Sequence, residues 1–273
     1  MLTTRQNVLR NFWYATLPIE KMKDGPKPFR LLGEEIVLLL AEGDAPAALE
    51  DRCRHRMAKL SKGWMKDGDP AFRRIHQFDE FWNCSALRMM ENSFDNAHFS
   101  FVHKGTFGDI SQPKAEKYEL TETPYGFVVE TIVPVKNPPQ AARVTGTTGA
   151  WTTRKMSNHW YMPFCRTMDM EYPSGLRHVI FNCATPIDDG SIRLVQILFR
   201  NDREEDCSTG ELRVWDRAII EEDRAILEST DPDAIVDMSR KLEMHMPSDR
   251  PGTLMRQRLN ALLEAHGEHE VPR

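Results

Sequence analysis

Two histidines and an acidic residue lie close together in one apolar stretch of the chain. Residues 91–103 read ENSFDNAHFSFVH, which sets His98, His103 and Asp95 among aromatic and apolar neighbours. Imidazole rings surrounded by apolar side chains are usually held by a specific interaction, and a bound metal ion is a common one. The stretch therefore predicts a metal site. The alternative is a pair of histidines that only hydrogen-bond within the core.

The spacing of the two histidines does not suit one regular helix. Five residues at about 100° each place His98 and His103 about 140° apart, so an ideal α-helix would not present both on one face. A helix that ends, tightens or contains a π-bulge between Phe99 and Val102 would bring both rings to one metal. We therefore expect an irregular helix here.

A carboxylate on a later helix is the candidate third ligand. Asp223 occupies a position where leucine would suit a buried helix face, and burying an unpaired carboxylate costs roughly several kcal/mol. It should therefore be protonated, paired with a base or bound to metal. The spacing leaves open that Glu222 or Asp223 turns to solvent or meets an arginine. The stripe that predicts burial comprises Trp215, Ala218, Ile219, Glu222, Asp223, Ile226 and Leu227.

Two histidines and one carboxylate on a single face of a metal form the site of non-haem Fe(II) oxygenases. His98, His103 and Asp223 would supply that set, and the open positions opposite are what O2 chemistry requires. The same ligands also permit a zinc hydrolase. Metal content and O2 dependence separate these two classes.

Composition limits the remaining possibilities. The chain has 273 residues, which suits one large domain or a small domain joined to a larger one. A net charge of -5 gives no electrostatic footprint for nucleic acid. No apolar run approaches the roughly 20 residues of a membrane helix, and the N-terminus is polar, so we expect a soluble cytoplasmic protein without a membrane partner. Five scattered cysteines predict reduced thiols.

The pattern of strands and helices predicts an α+β protein. The front part is β-rich with a turn at Gly33, the cluster around Pro70 marks a domain boundary, and residues 137–148 predict a mobile loop. Strands of an antiparallel sheet follow, with helices before and after them. The predicted helices are 87–102, 210–229 and 251–266, and the predicted strands are 126–134, 158–166, 178–185 and 192–200.

A resemblance to a known family gives these residues roles. Residues 87–108 resemble the iron-binding signature of the alpha subunit of Rieske-type aromatic ring-hydroxylating oxygenases, E-N-x2-D-x2-H-x4-H, with every signature position kept. Residues 221–228 resemble the segment that supplies the carboxylate ligand. The resemblance implies an Fe(II) triad of His98, His103 and Asp223. It also implies that Asp95 carries an electron from a neighbouring subunit's cluster and that Asn92 braces the helix or lies beside the metal.

The resemblance extends over almost the whole chain and implies two domains. Further similar segments are Trp13-Tyr14, residues 49–56 and residues 246–250. The implied arrangement is a small, truncated, β-rich Rieske-like part over residues 1–69, followed by a catalytic mononuclear-iron domain over residues 70–273. The catalytic domain is expected to be of the helix-grip type, an antiparallel sheet flanked by helices.

The front part departs from the family at the cluster. A Rieske 2Fe-2S cluster needs two cysteines and two histidines in two pairs. Cys53 and His55 supply the first pair, but the chain runs into the catalytic part before a second C-x2-H pair follows. His76 and Cys84 stand in the wrong order to replace it. We therefore expect Cys53 and His55 to be remnants and the cluster to be absent, since half a site has little affinity.

The family's activity is O2-dependent hydroxylation or oxidative demethylation of a small aromatic or cyclic substrate. Its electrons come from a reductase or ferredoxin through the cluster, and its subunits form trimers in which a cluster serves its neighbour's iron. A chain without a cluster would be impaired alone, and either a homotrimer or a mixed trimer with an intact homologue is implied. The rival interpretation is a non-catalytic subunit that binds a ligand or partner.

Overall fold

The structure is a computed structural model of the chain. Cys53 and His55 lie outside the described residues, and so does the boundary predicted between residues 69 and 70. Within the described part, the α+β class is confirmed, because helices flank an antiparallel sheet. The described residues are 2–23, 27–40, 46–50 and 71–271.

A three-stranded antiparallel sheet lies in the front part of the chain. Its first hairpin turns at Leu32 and Gly33, both with positive φ, as predicted at Gly33. The backbone amides of these two residues donate to the carbonyls of Pro186 and Ile187 at 3.0 and 2.6 Å, which ties the hairpin to the main sheet. The strands are β1 (Lys27–Leu31), β2 (Glu34–Leu40) and β3 (Pro46–Glu50).

A seven-stranded antiparallel sheet is the largest element of the described chain. Alternate side chains of a strand face the same side, and the strand Trp151–Tyr161 buries every second residue on one face of this sheet. That face packs against the helices and carries the candidate site. In sheet order the strands are β4 (Arg73–Trp82), β10 (Ile192–Arg200), β9 (Arg177–Pro186), β8 (Cys165–Glu171), β7 (Trp151–Tyr161), β6 (Gly126–Lys136) and β5 (Tyr118–Thr123).

One predicted strand is two strands in the structure. The segment 158–166 contains the end of β7 and the start of β8, and the chain turns between them at Met162 and Pro163. Proline has no amide hydrogen to donate to a neighbouring strand, so it is disfavoured inside a sheet. The prediction of one strand over these residues is therefore wrong, although both halves are extended.

Five α-helices flank the main sheet in the described chain. The helix predicted over 87–102 is broken, because the chain becomes extended at Asp95 and the Asp95 carboxylate accepts the Ala97 amide hydrogen at 2.7 Å. A side chain that hydrogen-bonds its own backbone two residues ahead favours a turn over a helix. The helices are α1 (Ala86–Phe94), α2 (Phe99–Val102), α3 (Ala142–Thr145), α4 (Thr209–Leu227) and α5 (Arg250–Ala265).

Two further predictions need correction. The segment 137–148 is not a plain loop, because it contains a 3-10 turn and α3, and Val144 and Thr145 are buried. The buried face of α4 is rotated from the predicted stripe, since Ala218 and Ile226 are exposed. Tertiary packing decides which face is covered, and the pattern of apolar residues alone does not. The buried residues of α4 are Leu212, Trp215, Asp216, Ile220 and Leu227.

Candidate metal centre

The structure brings the three predicted ligands together. His98 precedes α2 and His103 follows it, so the short helix turns the chain and both rings point to one place. Asp223 reaches the same place from α4. The two Nε2 atoms are 3.1 Å apart, and Asp223 Oδ1 lies 3.4 Å from His98 Nε2 and 3.3 Å from His103 Nε2. The irregularity predicted between Phe99 and Val102 is the end of α2 at Val102, and the chain also breaks earlier, at Asp95, before His98.

A second carboxylate lies behind each imidazole. His98 Nδ1 is 3.3 Å from Asp95 Oδ2, and His103 Nδ1 is 3.1 Å from Glu222 Oε2. A carboxylate only accepts hydrogen bonds, so each Nδ1 carries hydrogen, and Nε2 is the atom of each ring that a metal would take. This pairing fixes ring orientation in protein metal sites.

The donor set fits a divalent cation. The two Nε2 atoms and the Asp223 carboxylate converge within 4.8 Å, and metal binding would release the hydrogen that the imidazoles otherwise donate to Asp223. Metal bonds of roughly 2.0–2.2 Å at right angles place neighbouring ligand atoms ~3 Å apart, close to the distances in this cluster. His98, His103 and Asp223 are the residues that would hold such an ion.

The electrostatics of the cluster favour positive charge at its centre. Burial raises the pKa of the Asp223 carboxyl, but hydrogen bonds from His103 and His98 outweigh it and hold that pKa well below its usual range. Burial also opposes charge on His98, yet its hydrogen bonds with Asp223 and Asp95 raise the pKa of His98 to about 9. Asp95 likewise keeps a lowered pKa despite burial, because His98 faces it. The site attracts a cation.

The remaining signature residues have separate positions. The Asn92 amide donates to Asp223 Oδ1 at 3.0 Å, so Asn92 lies beside the metal-binding carboxylate. Glu91 lies further out and accepts from the buried guanidinium of Arg256 at 2.5 Å, which joins α1 to α5. Glu91 therefore positions the helix that carries Asn92 and does not reach the cluster.

Glu222 belongs to this cluster, although the sequence pattern left its role open. Its carboxylate accepts from the Gly105 amide at 2.9 Å and the Thr106 hydroxyl at 2.7 Å, in addition to His103. These bonds fix the turn that follows His103 as well as the ring. Adjacency to Asp223 was the only sequence signal, because the partner residues are more than a hundred positions away.

A cavity adjoins the metal-binding side chains. It lies between α4 and the buried face of the sheet and has a volume of about 80 Å³. A single water molecule needs roughly 10–15 Å³ of such volume. The cavity is therefore large enough for a ligand of roughly the size of one small ring. Its apolar wall is formed by Met156, Met168, Met170, Ile180, Trp215 and Ile219.

A chain of buried side-chain hydrogen bonds crosses the floor of this cavity. Arg166 donates to Asn182 at 2.9 Å, and Asn182 donates to Gln196 at 2.5 Å. Gln196 donates to Gln77 at 2.5 Å, and Gln77 in turn donates to Asp216. The sequence pattern did not reveal this network, because its members lie on four strands and α4. Burial lowers the pKa of Arg166 to about 10, opposed by Asp223.

Three aromatic residues near the ends of β7 and β8 do not line the cavity. Trp160 and Phe164 are fully buried in the core, and Trp151 is exposed. His159 is half-buried and contacts Ser157. His178, in contrast, is buried at the cavity, where its Nδ1 lies 2.9 Å from the guanidinium of Arg200.

Comparison with known proteins gives two family matches. The model of the vanillate O-demethylase oxygenase C-terminal domain matches residues 82–265, more than half of the chain, and the model of the Rieske [2Fe-2S] domain matches residues 12–76. No helix among the residues that the structure describes is long and apolar enough to cross a membrane.

Individual relatives agree with these matches. Methylxanthine N1-demethylase NdmA of Pseudomonas putida is 24% identical and covers 98% of this chain and 93% of its own length. The structure of NdmA of Pseudomonas putida CBB5 with caffeine has a TM-score of 0.73 at 22% identity, covering 96% of this chain and 93% of that chain. The structure of dicamba monooxygenase bound to dicamba has a TM-score of 0.76 at 16% identity, and the match covers 96% of this chain and 99% of that chain. The chain therefore belongs to the vanillate O-demethylase type of Rieske non-haem iron oxygenases.

Proposed function

We propose that this chain is an O2-dependent monooxygenase or oxidative demethylase that acts on a small aromatic or cyclic substrate. His98, His103 and Asp223 bind Fe(II), and the substrate lies in the adjoining cavity. The convergence of three metal-ligand atoms, each imidazole backed by a carboxylate, is the observation that carries this proposal. The printed names of relatives, an N-demethylase and a monooxygenase, support the reaction class.

The chain's own residues have distinct tasks in this proposal. Iron, when bound, supplies O2 binding and activation beside the substrate. Glu222 and Asp95 hold the two imidazoles, and Asn92 orients Asp223 through its amide hydrogen bond. Apolar cavity walls exclude water from the reacting atoms.

Asp95 is the residue proposed to receive an electron from a neighbouring subunit. Its carboxylate bonds His98 Nδ1 on one side, and its side chain is 31% exposed on the other. This position, between solvent and a metal ligand, supports a bridge to another chain. Electrons would come from a reductase or ferredoxin through the cluster of an intact homologue in a mixed trimer, since a homotrimer of cluster-free chains would hold no cluster.

The cluster domain is proposed to be incomplete. The alignment with the N1-demethylase runs over 344 residues, and this chain has 273, so at least 71 aligned positions have no residue here. The difference supports a front domain of residues 1–69 that retains Cys53 and His55 but lacks the second ligand pair. The catalytic domain, residues 70–273, would then depend on a cluster from another subunit.

Anaerobic titration with Fe(II) tests the metal site. Wild type is expected to bind one equivalent, and His98→Ala and Asp223→Ala are expected to lose at least about tenfold to hundredfold in affinity, since each removes a ligand. His159→Ala is the matched control, because His159 lies on β7 away from the cluster. Unchanged binding in both ligand variants contradicts the proposal. Tight zinc binding together with O2-independent turnover would indicate a hydrolase.

A further inference from the structure

Two cysteines face each other on neighbouring strands of the main sheet. Cys165 of β8 and Cys183 of β9 are register partners, and both are free thiols. The Cys165 thiol donates to the Cys183 sulfur, with the two Sγ atoms 3.1 Å apart. The other described cysteines, Cys84 and Cys207, lie apart in two different core clusters. The described chain therefore contains one close pair of thiols.

The backbone pairing at these two residues suits a cross-strand disulfide. The Ala184 amide donates to the Phe164 carbonyl at 3.0 Å, so the pair before the cysteines is hydrogen-bonded. Pairs alternate along an antiparallel ladder, which makes Cys165 and Cys183 a non-hydrogen-bonded pair, with Cα atoms ~4.5 Å apart. A disulfide accepts Cα separations of roughly 4.4–6.8 Å. The sulfur atoms need to approach by only about 1 Å to reach bonding distance.

The surroundings of the two thiols give them different roles. The Cys183 sulfur accepts from the Cys165 thiol and from the Ala15 amide, and these bonds lower the pKa of Cys183 although burial opposes them. The same thiol–thiol bond, together with burial, raises the pKa of Cys165. Thiolate is the nucleophilic form of cysteine, so Cys183 is the attacking sulfur. Cys165 is partly exposed beside it, which gives a small oxidant access to the pair. Burial alone, in contrast, raises the pKa of Cys84 to about 12.

We propose that Cys165 and Cys183 form an oxidation site, at which a hydroperoxide converts the two thiols into a reversible disulfide. The Cys183 thiolate attacks a peroxide oxygen, the O–O bond breaks, and a sulfenic acid forms while the hydroperoxide leaves as an alcohol, or as water from hydrogen peroxide. The Cys165 sulfur then attacks the sulfenic sulfur, so the S–S bond forms and the S–O bond breaks, releasing water. The two thiols lose two electrons and two protons, and the hydroperoxide takes them up.

The disulfide would join the two strands that carry part of the cavity floor. Arg166 and Asn182 are the next register pair, one residue along each strand, and their side chains face the opposite side of the sheet. A covalent bond beside this pair holds its register. The two cysteines are 18 positions apart, and closing a loop of that length is expected to raise the melting temperature by about 5–10 °C.

Peptide mapping by mass spectrometry tests the oxidation site. The folded chain is treated with hydrogen peroxide in the presence of a chelator, which prevents free iron from decomposing the peroxide, and remaining thiols are blocked with iodoacetamide. Trypsin cuts after lysine and arginine, so Cys165 and Cys183 fall in separate peptides, residues 156–166 and 178–193. We expect these two peptides to be linked, with a mass two hydrogens below their sum, and to separate on treatment with dithiothreitol.

Variants and thermal melts check that the linked peptides come from this pair. Cys165→Ala is expected to abolish the link, and its melting temperature should not change on treatment with peroxide. Cys207→Ala is the matched control, because it removes a thiol of the described chain that lies away from the pair. It should keep the link and the rise in melting temperature, and dithiothreitol should reverse both.

Wild type alone can overturn the inference, whether or not the variants fold. Peptides 156–166 and 178–193 recovered without a link after oxidation contradict it, and so does a link between any other two cysteines. An equal yield of the link in urea would show that the fold does not select the pair, and a fall in melting temperature would show that the strands do not accept the bond. None of these readouts requires iron, so this inference and the proposed function fail separately.

Discussion

The two histidines of the candidate centre are each held by a carboxylate that does not touch the metal position. Asp95 holds His98 from a neighbouring turn, and Glu222 holds His103 from α4. Because Asp223 follows Glu222 directly, one turn of α4 supplies both a ligand and the group that orients another ligand. A small shift of α4 would therefore move two of the three ligand atoms together.

Replacing Glu222 should weaken metal binding without removing a ligand. Glu222→Ala leaves His103 Nδ1 without its acceptor, and loss of such an orienting group costs about tenfold to hundredfold in metal affinity. Competition for Fe(II) against a chelator measures the change. Glu221→Ala, one residue earlier and directed to Arg217, is the control. Equal affinities for both variants would show that Glu222 has no positioning role.

Elements with a regular pattern were predictable, and those decided by a single local contact were not. The amphipathic pattern over 210–229 and the strand over 192–200 match α4 and β10 within a few residues. The break before His98 depends on one carboxylate that caps its own turn, which no periodicity shows. Among the site residues, the signature marked His98 and His103, the resemblance of residues 221–228 marked Asp223, and the structure places the three together.

Residues on separate strands of the sheet escaped sequence reasoning for a different reason. Arg154, Arg166 and Gln196 look like ordinary strand residues, because an alternating strand gives no sign of what lies across the cavity. Arg166 and Gln196 matter because both form hydrogen bonds with Asn182. Arg154 matters because its buried Nε has no acceptor among the described residues. Only the register of the neighbouring strands shows which residues lie next to each other across the sheet.

The ends of β4 and β10 are joined by a buried ionic cluster that should make stability depend on pH. Asp202 accepts from Arg200 and from Arg73. Burial opposes its charge, but the two guanidinium groups outweigh burial and lower its pKa. A carboxyl with a lowered folded-state pKa contributes stability above its unfolded value of about 3.9, and the contribution is lost as pH falls through the folded pKa.

Asp202→Asn should therefore be less stable than wild type at neutral pH, with a difference that shrinks as pH falls below about 4. Urea unfolding at a series of pH values measures the difference in free energy. Glu171→Gln is the control, because Glu171 is exposed at the end of β8. A difference that is the same at every pH would contradict the assigned ion pairs.

At the scale of the whole molecule, the three residues proposed to bind iron lie in the catalytic part, while its source of electrons is proposed to lie in another chain. Asp95 is partly exposed next to His98, as a residue receiving electrons from outside would be. The described part of the front domain is tied to the main sheet through the turn at Leu32 and Gly33. We therefore expect one mononuclear iron in the catalytic part and no iron–sulfur cluster in the front part.

Chemical analysis of the purified chain measures this difference. A complete Rieske oxygenase subunit holds about three irons and two acid-labile sulfides, two of the irons in its 2Fe-2S cluster. This chain is expected to hold about one iron and no sulfide, and to show no iron–sulfur absorption. Cys53→Ala combined with His55→Ala should leave the iron content unchanged, whereas His98→Ala should abolish it. Addition of a homologue that keeps its cluster but lacks its own iron ligands should then give substrate-dependent O2 uptake at the iron of this chain. Asp95→Asn should remove that uptake, because the electron enters through the Asp95 carboxylate. Stoichiometric sulfide in the chain alone would show that the cluster domain is complete and that no partner subunit is needed.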